Sequence, residues 1–344
     1  MNKKTQVVIQ TAFIGDVFLS ILFFNRLRKI YQNDDIVLVC KKGVANFLLQ
    51  EGLVNQLVEI EKGNNQTYKA ALQQISRQHA VQNVFCLHKS FRSALFSFKI
   101  KAEHRFGFKV GIGSLFFSKS VLYPKSWPDA IRQLSLLQLV DTELHQLLKS
   151  KDWTHLNQMN QPIPDLFQFK NKSQAQNKIK NKKVAIFPGS VWATKKWTEE
   201  GFSKVAQYLC DQNYQVFLMG GPDERDIAER IHLAEPRTKI LAGQKKITES
   251  IEVLKTCDFI VGNDSSSSHM AASVGTPVLA LFGPTTLDLG FRPWVNNSAV
   301  VENNKLDCRP CGKHGHKQCP LGHHKCMKDI SADTVISIIK NQFE

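Results

Sequence analysis

Asp264, Ser265, Ser266, Ser267, Ser268 and His269 put a carboxylate, four hydroxyls and an imidazole into consecutive positions. Apolar runs at 259–262 and 278–283 read as buried strands, and the small residues at 270–274 read as a helix whose first turn holds the serines. A helix N-terminus favours an anion through its unsatisfied N–H groups and its dipole. Asp264 cannot be that anion's partner, so it suggests a second part of the ligand, such as a hydroxyl-rich sugar. An ordinary cap on a core helix would need one Ser or Asp rather than five in a row.

Two other places could do chemistry. Gly15-Asp16 follows an apolar run at 7–10. Gly15 would let the chain turn tightly, and Asp16 would land in the first turn of the next helix. There it could act as a base or simply complement the helix dipole. After a second apolar run at 184–187 come Pro188, Gly189 and Ser190, then Thr194, Lys195, Lys196 and Trp197. Lysine is a natural point-charge partner for phosphate, although a solvated lysine pair would look the same in sequence.

The elements that must carry these residues alternate. A strand at 7–10, a loop at 11–15, an amphipathic helix at 16–30 and a strand at 36–40 make the opening βαβ of a parallel sheet. Weaker strands follow at 57–60 and 84–87, and helical spacing at 127–139 closes the first half. The second half starts afresh with strands at 184–187, 215–219 and 240–242. Thr198 caps a helix with Phe202, Val205, Ala206 and Leu209 on one face. Helices at 223–232 and 248–255 lead to the serine-rich segment, and 332–343 reads as a final amphipathic helix. Between the halves, residues 170–183 hold six lysines and no acid, which reads as a solvated linker. The pattern predicts an α/β protein with two doubly wound domains facing across a cleft, ligands gathering at the strand carboxyl ends.

A chain of 344 residues suits two domains. Its net charge of +15 would favour nucleic acid, an anionic membrane surface or a phosphorylated substrate. No aromatic-interleaved basic patch or known binding module accompanies the charge, which argues against nucleic acid. The stretch 91–113, with neighbouring Lys89, carries Arg92, Lys99, Lys101, Arg105 and Lys109, either for acceptor phosphates or as a solvated face. No apolar run approaches the ~18 residues of a membrane span. The N-terminal apolar stretch is interrupted by Asp16 and lacks a cleavage site, so the reading is a cytosolic protein. Cys40, Cys86, Cys210 and Cys257 sit singly in or beside apolar surroundings. Cys308, Cys311, Cys319 and Cys326 cluster, with His314, His316, His323 and His324 interleaved. A structural zinc is one reading of that cluster; reduced thiols or stapling disulfides are the others.

Taken together these motifs resemble glycosyltransferase family 9, the ADP-heptose:lipopolysaccharide heptosyltransferases of the GT-B fold. The likeness runs from Gly15-Asp16 through Pro188-Gly189 with Lys195 and Trp197, then Gly220-Gly221 with Glu224, to the long segment from Gly262 to Thr285. It implies two Rossmann-like domains, an acceptor domain at 1–169 and a nucleotide-sugar domain at 184–330. The linker 170–183 lies between them, the cysteine-rich segment 308–326 belongs to the second, and a terminal helix occupies 331–344. It implies an inverting transfer of heptose from ADP-heptose to the lipopolysaccharide inner core, of the type that adds the second heptose, with no cofactor required. Asp16 would be the general base and Lys195, in the family's Lys-x-Trp spacing, would neutralise the departing diphosphate. Ser265, Ser266, Ser267 and Ser268 would hold the same diphosphate through their backbone, and His269 would orient that loop. Asp264 would bind hydroxyls of the heptose or ribose, with Ser190 and Thr194 nearby. The acceptor would be a core or lipid A precursor, with the enzyme cytoplasmic and peripheral at the inner leaflet. A family member using another sugar nucleotide or acceptor, or a non-catalytic nucleotide-sugar binder, is the alternative. Ser266 departs from the glycine common in the family, and it would be strained if the position required positive φ.

Overall fold

The structure, a computed structural model, describes residues 3–78, 80–164 and 182–344. It divides into two compact units, Met1–His155 and Leu156–Glu344. The first holds β1 (Thr5–Gln10), β2 (Asp35–Lys41), β3 (Gln56–Ile60), β4 (Val81–Cys86), β5 (His104–Phe108) and β6 (Lys119–Val121) in the order β3-β2-β1-β4-β5-β6. All its pairings are parallel. Covering helices bury both faces of such a sheet, which is why β1 is buried along its whole length.

The second unit repeats the plan with β7 (Lys183–Phe187), β8 (Gln215–Leu218), β9 (Lys239–Ile240), β10 (Phe259–Asn263), β11 (Val278–Phe282) and β12 (Ala299–Glu302). Their order, β12-β11-β10-β7-β8-β9, is the same winding read from the other edge, again all parallel. In each sheet the order reverses beside the first strand, between β1 and β4 and between β7 and β10. Right-handed crossovers then send the connections on either side of that point to opposite faces of the sheet. A crevice opens at the strand carboxyl ends. The expected α/β class with two doubly wound sheets is the observed one.

Several boundaries differ from the sequence expectation for local reasons. The helix expected over 16–30 is two helices, Ile14–Leu19 and Ile21–Ile30. The break is at Ser20, whose buried hydroxyl donates to the Val17 carbonyl at 2.6 Å and competes with the helical ladder. The division between units falls at His155 rather than 169. Arg292, 2% exposed, ties the following residues to the second unit by donating to the carbonyls of Leu156 (3.1 Å), Gln158 and Gln161 (3.2 Å). The lysine-rich linker lies almost wholly outside the described residues, and Lys183 already opens β7. The terminal helix Ala332–Gln342 is part of the second core: Val335 and Ile339 are buried, and Phe343 packs on Phe259 at 4.7 Å between ring centres.

In the first unit an aromatic column crosses the sheet. Phe23 meets Phe24 and Phe85 edge-on at 5.6 and 5.8 Å, and Phe85 stacks on Phe106 at 5.0 Å. Phe23 is fully buried, so Phe23→Ala removes both the transfer energy and these ring contacts. We expect a loss of about 3–5 kcal/mol from the unfolding free energy, read from the urea midpoint. A loss under about 1 kcal/mol would show that the site collapses freely.

Candidate active site

Asp16 lies in the turn that leaves β1 at the reversal point of the first sheet. It is the third residue of its helix, and its Oδ2 accepts from the Phe13 amide at 3.1 Å. Gly15 sits inside the helical turn and is not among the positive-φ glycines, so it does not supply the tight turn expected of it. A carboxylate at a helix start is normally stabilised as an anion. Here burial works the other way and dominates. With the repulsion of nearby Asp129, it pushes Asp16 up to about 7, against the Phe13 amide and the Lys89 charge. Asp129 is itself buried, held by Tyr123 (3.2 Å), Arg132 (3.1 Å) and Gln133 (2.6 Å). Gln133 also donates to the Asp16 carbonyl at 3.2 Å and accepts from Gln10 at 2.9 Å. This scaffold was not found from sequence, because Asp129 and Gln133 lie more than a hundred positions from Asp16. Beside it, His88 Nδ1 lies 2.7 Å from the Thr11 hydroxyl and 3.0 Å from that of Ser93. Burial, followed by the charges of Lys62, Lys41 and Lys89, lowers His88 to about 4, so it is neutral at physiological pH.

In the second unit the reversal point gathers the other expected residues. Lys195 Nζ lies 2.6 Å from Asp264 Oδ2, and the same oxygen accepts from Thr285 at 2.6 Å. Asp264 is therefore the counter-ion that aims Lys195, a pairing that the sequence reading did not foresee. Asn263, fully buried, holds the turn that carries the lysine. Its amide donates to the carbonyls of Pro188 (2.9 Å) and Gly189 (3.1 Å), and its oxygen accepts from the Trp197 amide at 2.9 Å. Glu224 fits beside Gly189 and Gly220, where a Cβ on either glycine would meet its carboxylate at 1.8 or 2.5 Å. The Pro-Gly and Gly-Gly motifs thus leave room for one carboxylate, which also accepts from the Gly221 amide at 2.6 Å.

The helix of the serines runs Ser266–Ser273, starting four residues earlier than expected. The serines divide. Ser265 is the cap, its oxygen accepting from the Ser267 amide at 3.4 Å, and Ser265 and Ser266 are partly exposed. Ser267, Ser268 and His269 are buried, with the Ser267 hydroxyl turned to that of Ser265 at 2.8 Å. His269 packs near Phe291 at 6.4 Å. Side-chain contact with a ligand at this turn is thus open to Ser265 and Ser266, while the deeper residues shape the turn. Ser266 has no positive φ and is a normal first helical residue, so serine is accommodated there without backbone strain. Ser190 accepts from the Trp192 amide at 3.3 Å.

The cysteine-rich segment braces both sides of this site. Thr194 is pinned in both directions to the backbone of His316: its amide and hydroxyl donate to the carbonyl at 3.1 and 2.9 Å, and its hydroxyl accepts from the amide at 2.7 Å. His324 Nε2 lies 2.7 Å from the Thr194 carbonyl. Gly315, at φ +82°, passes so close that a Cβ would lie 2.9 Å from the Thr194 hydroxyl. On the other side the Arg309 guanidinium donates to the carbonyls of Gly283 and Thr285 (2.8 Å) and pairs with Glu302 at 2.7 Å. No disulfide joins the cysteines. Among the described residues no group of three or more His, Cys, Asp or Glu side chains is arranged to hold a metal ion. Burial, followed by the neighbouring thiols Cys319 and Cys308, raises Cys311. Burial raises Cys326 to about 11.

With this geometry in hand, the comparisons with known proteins are specific. The family model described as glycosyltransferase family 9 (heptosyltransferase) matches residues 70–324. Lipooligosaccharide heptosyltransferase 2 of Campylobacter jejuni is 27% identical over 337 residues, covering 95% of this chain and 96% of that protein. The structure of E. coli ADP-heptose lps heptosyltransferase II shares the fold, with a TM-score of 0.76, 20% identity and 98% of each chain covered. An E. coli heptosyltransferase solved with ADP-2-deoxy-2-fluoro heptose gives a TM-score of 0.70 at 15% identity, covering 98% of this chain and 99% of that one.

Asn263→Ala leaves the Trp197 amide without its acceptor in a buried place, so we expect about 2–4 kcal/mol of destabilisation. Amide exchange should accelerate at 188–197 before the rest of the second sheet; uniform exchange would refute the local role. For Asp16 the unfolded chain ionises near 3.8 and the folded one near 7. Stability is therefore full below pH 3.8 and falls as pH rises towards 7, because only the unfolded state releases this proton. Asp16→Asn should raise the melting temperature at pH 8 and have little effect at pH 4. An equal effect at both would rule out the raised proton affinity.

Proposed function

This chain belongs to glycosyltransferase family 9, and from that premise we propose that it transfers heptose from ADP-heptose to the inner core of lipopolysaccharide, adding the second heptose. The observation that carries the reading is Asp16, a carboxyl group at a sheet's reversal point whose proton affinity has been raised to about 7. An ordinary aspartate is too weak a base for a sugar hydroxyl; one titrating near neutrality can accept a proton and still be ionised at working pH.

In the proposed reaction the acceptor hydroxyl oxygen attacks the anomeric carbon of the donor heptose. Its proton passes to Asp16, the bond from the anomeric carbon to the β-phosphate oxygen breaks, and the electron pair leaves with ADP. A single displacement of this kind inverts the anomeric centre. Lys195, aimed by Asp264, supplies positive charge to the leaving diphosphate, and the helix start at Ser265 and Ser266 supplies backbone donors. When the diphosphate binds, Lys195 is shared between it and Asp264, and the carboxylate orients the lysine beforehand. No step calls for a metal. The acceptor is a phosphorylated glycolipid, which places the enzyme at the cytoplasmic face of the inner membrane.

Three measurements check this. Turnover with ADP-heptose and a core acceptor carrying one heptose should exceed that with other nucleotide sugars; consumption of another donor with ADP-heptose left intact overturns the assignment. Asp16→Asn should lower kcat by about a hundred- to ten-thousandfold, with ADP affinity unchanged by calorimetry. Full activity in that variant would make the protein something other than an Asp16-dependent transferase. Because the base must be ionised, kcat/KM should fall about tenfold per pH unit below 7.

A further inference from the structure

Exposed apolar side chains are not spread evenly over the described residues. Six of the eleven large ones lie between 91 and 122: Phe91, Phe98, Val110, Ile112, Leu115 and Leu122. Ile112 and Leu115 are 74% and 80% exposed, far more than is needed to finish a core. They stand on the short helical turn Ile112–Phe116, which packs on the helix Phe91–Phe98. The Phe116 ring sits 5.7 Å from Phe91 and 5.3 Å from Phe98, and a Cβ on Gly113 would lie 3.2 Å from Ala94. The close approach at Gly113 locks turn and helix together, so their apolar tips belong to one surface.

Its charge has one sign. Arg92, Lys99, Lys101, Lys109 and Lys119 are exposed on the same segment, against one acid, Glu103, which is engaged by Lys4 at 3.4 Å. Arg105 is not part of the display, since its guanidinium donates to the carbonyls of Ser97 (3.2 Å) and Ile100 (2.6 Å). The surface adjoins the base. The first turn of the helix Phe91–Phe98 carries Ser93, whose hydroxyl lies 3.0 Å from that of Thr11 in the turn leading to Asp16. Val110, Ile112 and Leu122 follow the carboxyl ends of β5 and β6, the sheet edge at which Asp16 lies.

We propose that this face docks on an anionic phospholipid bilayer, with Ile112 and Leu115 entering the interfacial layer and the surrounding lysines and arginines meeting lipid phosphates. Apolar tips with exposed basic groups on the same segment match such a surface on both counts, because each cation near an anionic leaflet and each buried apolar tip strengthens the binding. A second copy of this chain is a poorer occupant, since face-to-face docking would oppose like charges. The docking would hold the strand carboxyl ends, and Asp16 with them, toward the layer in which a lipid-anchored acceptor sits. That consequence rests on the proposed function; the binding itself does not.

The test is co-sedimentation of the full chain with phosphatidylethanolamine–phosphatidylglycerol vesicles, alongside phosphatidylcholine vesicles and a high-salt arm. The double variant Ile112→Ser/Leu115→Ser alters only exposed tips, and an unchanged melting temperature confirms its fold. We expect binding to the anionic vesicles, weakened by salt and reduced about tenfold or more in the double variant, as the loss of two inserted tips implies. A charge variant, Lys99→Glu/Lys109→Glu, should bind still less. Turnover of the double variant on a water-soluble, deacylated acceptor should equal that of the parent. Equal partition onto phosphatidylcholine, or a double variant that binds as the parent does, overturns the proposal. So does a dimer in sedimentation velocity that the double variant dissolves. Vesicle binding as expected without any turnover of ADP-heptose would sink the functional reading and leave the docking face standing.

Discussion

The reversal of strand order beside the first strand of each sheet is the constraint from which the rest follows. A continuous parallel sheet wound in one direction would cover its carboxyl edge with successive connections. Where the order turns back, the chains leaving two adjacent strands go to opposite faces, and the ends of those strands stay uncovered between them. In the first sheet those ends deliver Asp16 after β1 and His88 after β4. In the second they deliver Lys195 after β7, and Asp264 with its serines after β10. Four separated stretches of sequence owe their chemistry to that one topological feature, used twice.

A crevice of this kind changes the electrostatics of what it holds. The two carboxyl groups of the first unit show how much depends on the donors supplied. Asp129 lies among Tyr123, Arg132 and Gln133, each directed at an oxygen. Asp16 receives the Phe13 amide and feels the charge of Asp129. Burial that is not offset by donors favours the neutral acid, and each pH unit corresponds to roughly 1.4 kcal/mol. Ionising Asp16 at neutral pH therefore costs the fold a few kcal/mol, on the order expected for a group kept for function rather than stability. Asp264 carries a cation and a hydroxyl on one oxygen and aims Lys195.

Much of this was legible in the sequence wherever the signal was local. The strand–turn–helix alternation, the Thr198 cap and the motif turns depend on residues a few positions apart, and Thr198 does accept from the Gly201 amide as its spacing implied. β5 and β6 were missed because His104, Arg105, Lys119 and Ser120 interrupt their apolar runs, as edge and near-edge strands allow. β12, an edge strand of four residues, was missed as well. Within the candidate site, Asp16, Lys195 and Asp264 were singled out by motif spacing. Asp129, Gln133, Asn263, Thr285 and Arg309 were not, because each acts on a partner that only the fold brings near. Within the run of serines, helical geometry leaves the Ser265 and Ser266 side chains partly exposed and buries those of Ser267 and Ser268, a division that a run of identical residues does not show.

The cysteine-rich segment makes the same point about chemistry and position. Its thiols drew notice as ligands or disulfide partners, and burial raises Cys311 and Cys326. What the segment does mechanically comes from residues between the cysteines. Arg309 gathers the carbonyls after β11, which steadies Thr285 and through it Asp264. His316 and His324 take hold of Thr194, the residue before Lys195. One excursion of chain thus grips both partners of the ion pair from outside. Its hydrogen bonds go to their neighbours, Thr194 before Lys195 and Thr285 beside Asp264. A lysine held this way loses little orientational freedom when a diphosphate arrives, so more of its charge interaction is available to the bond-breaking step.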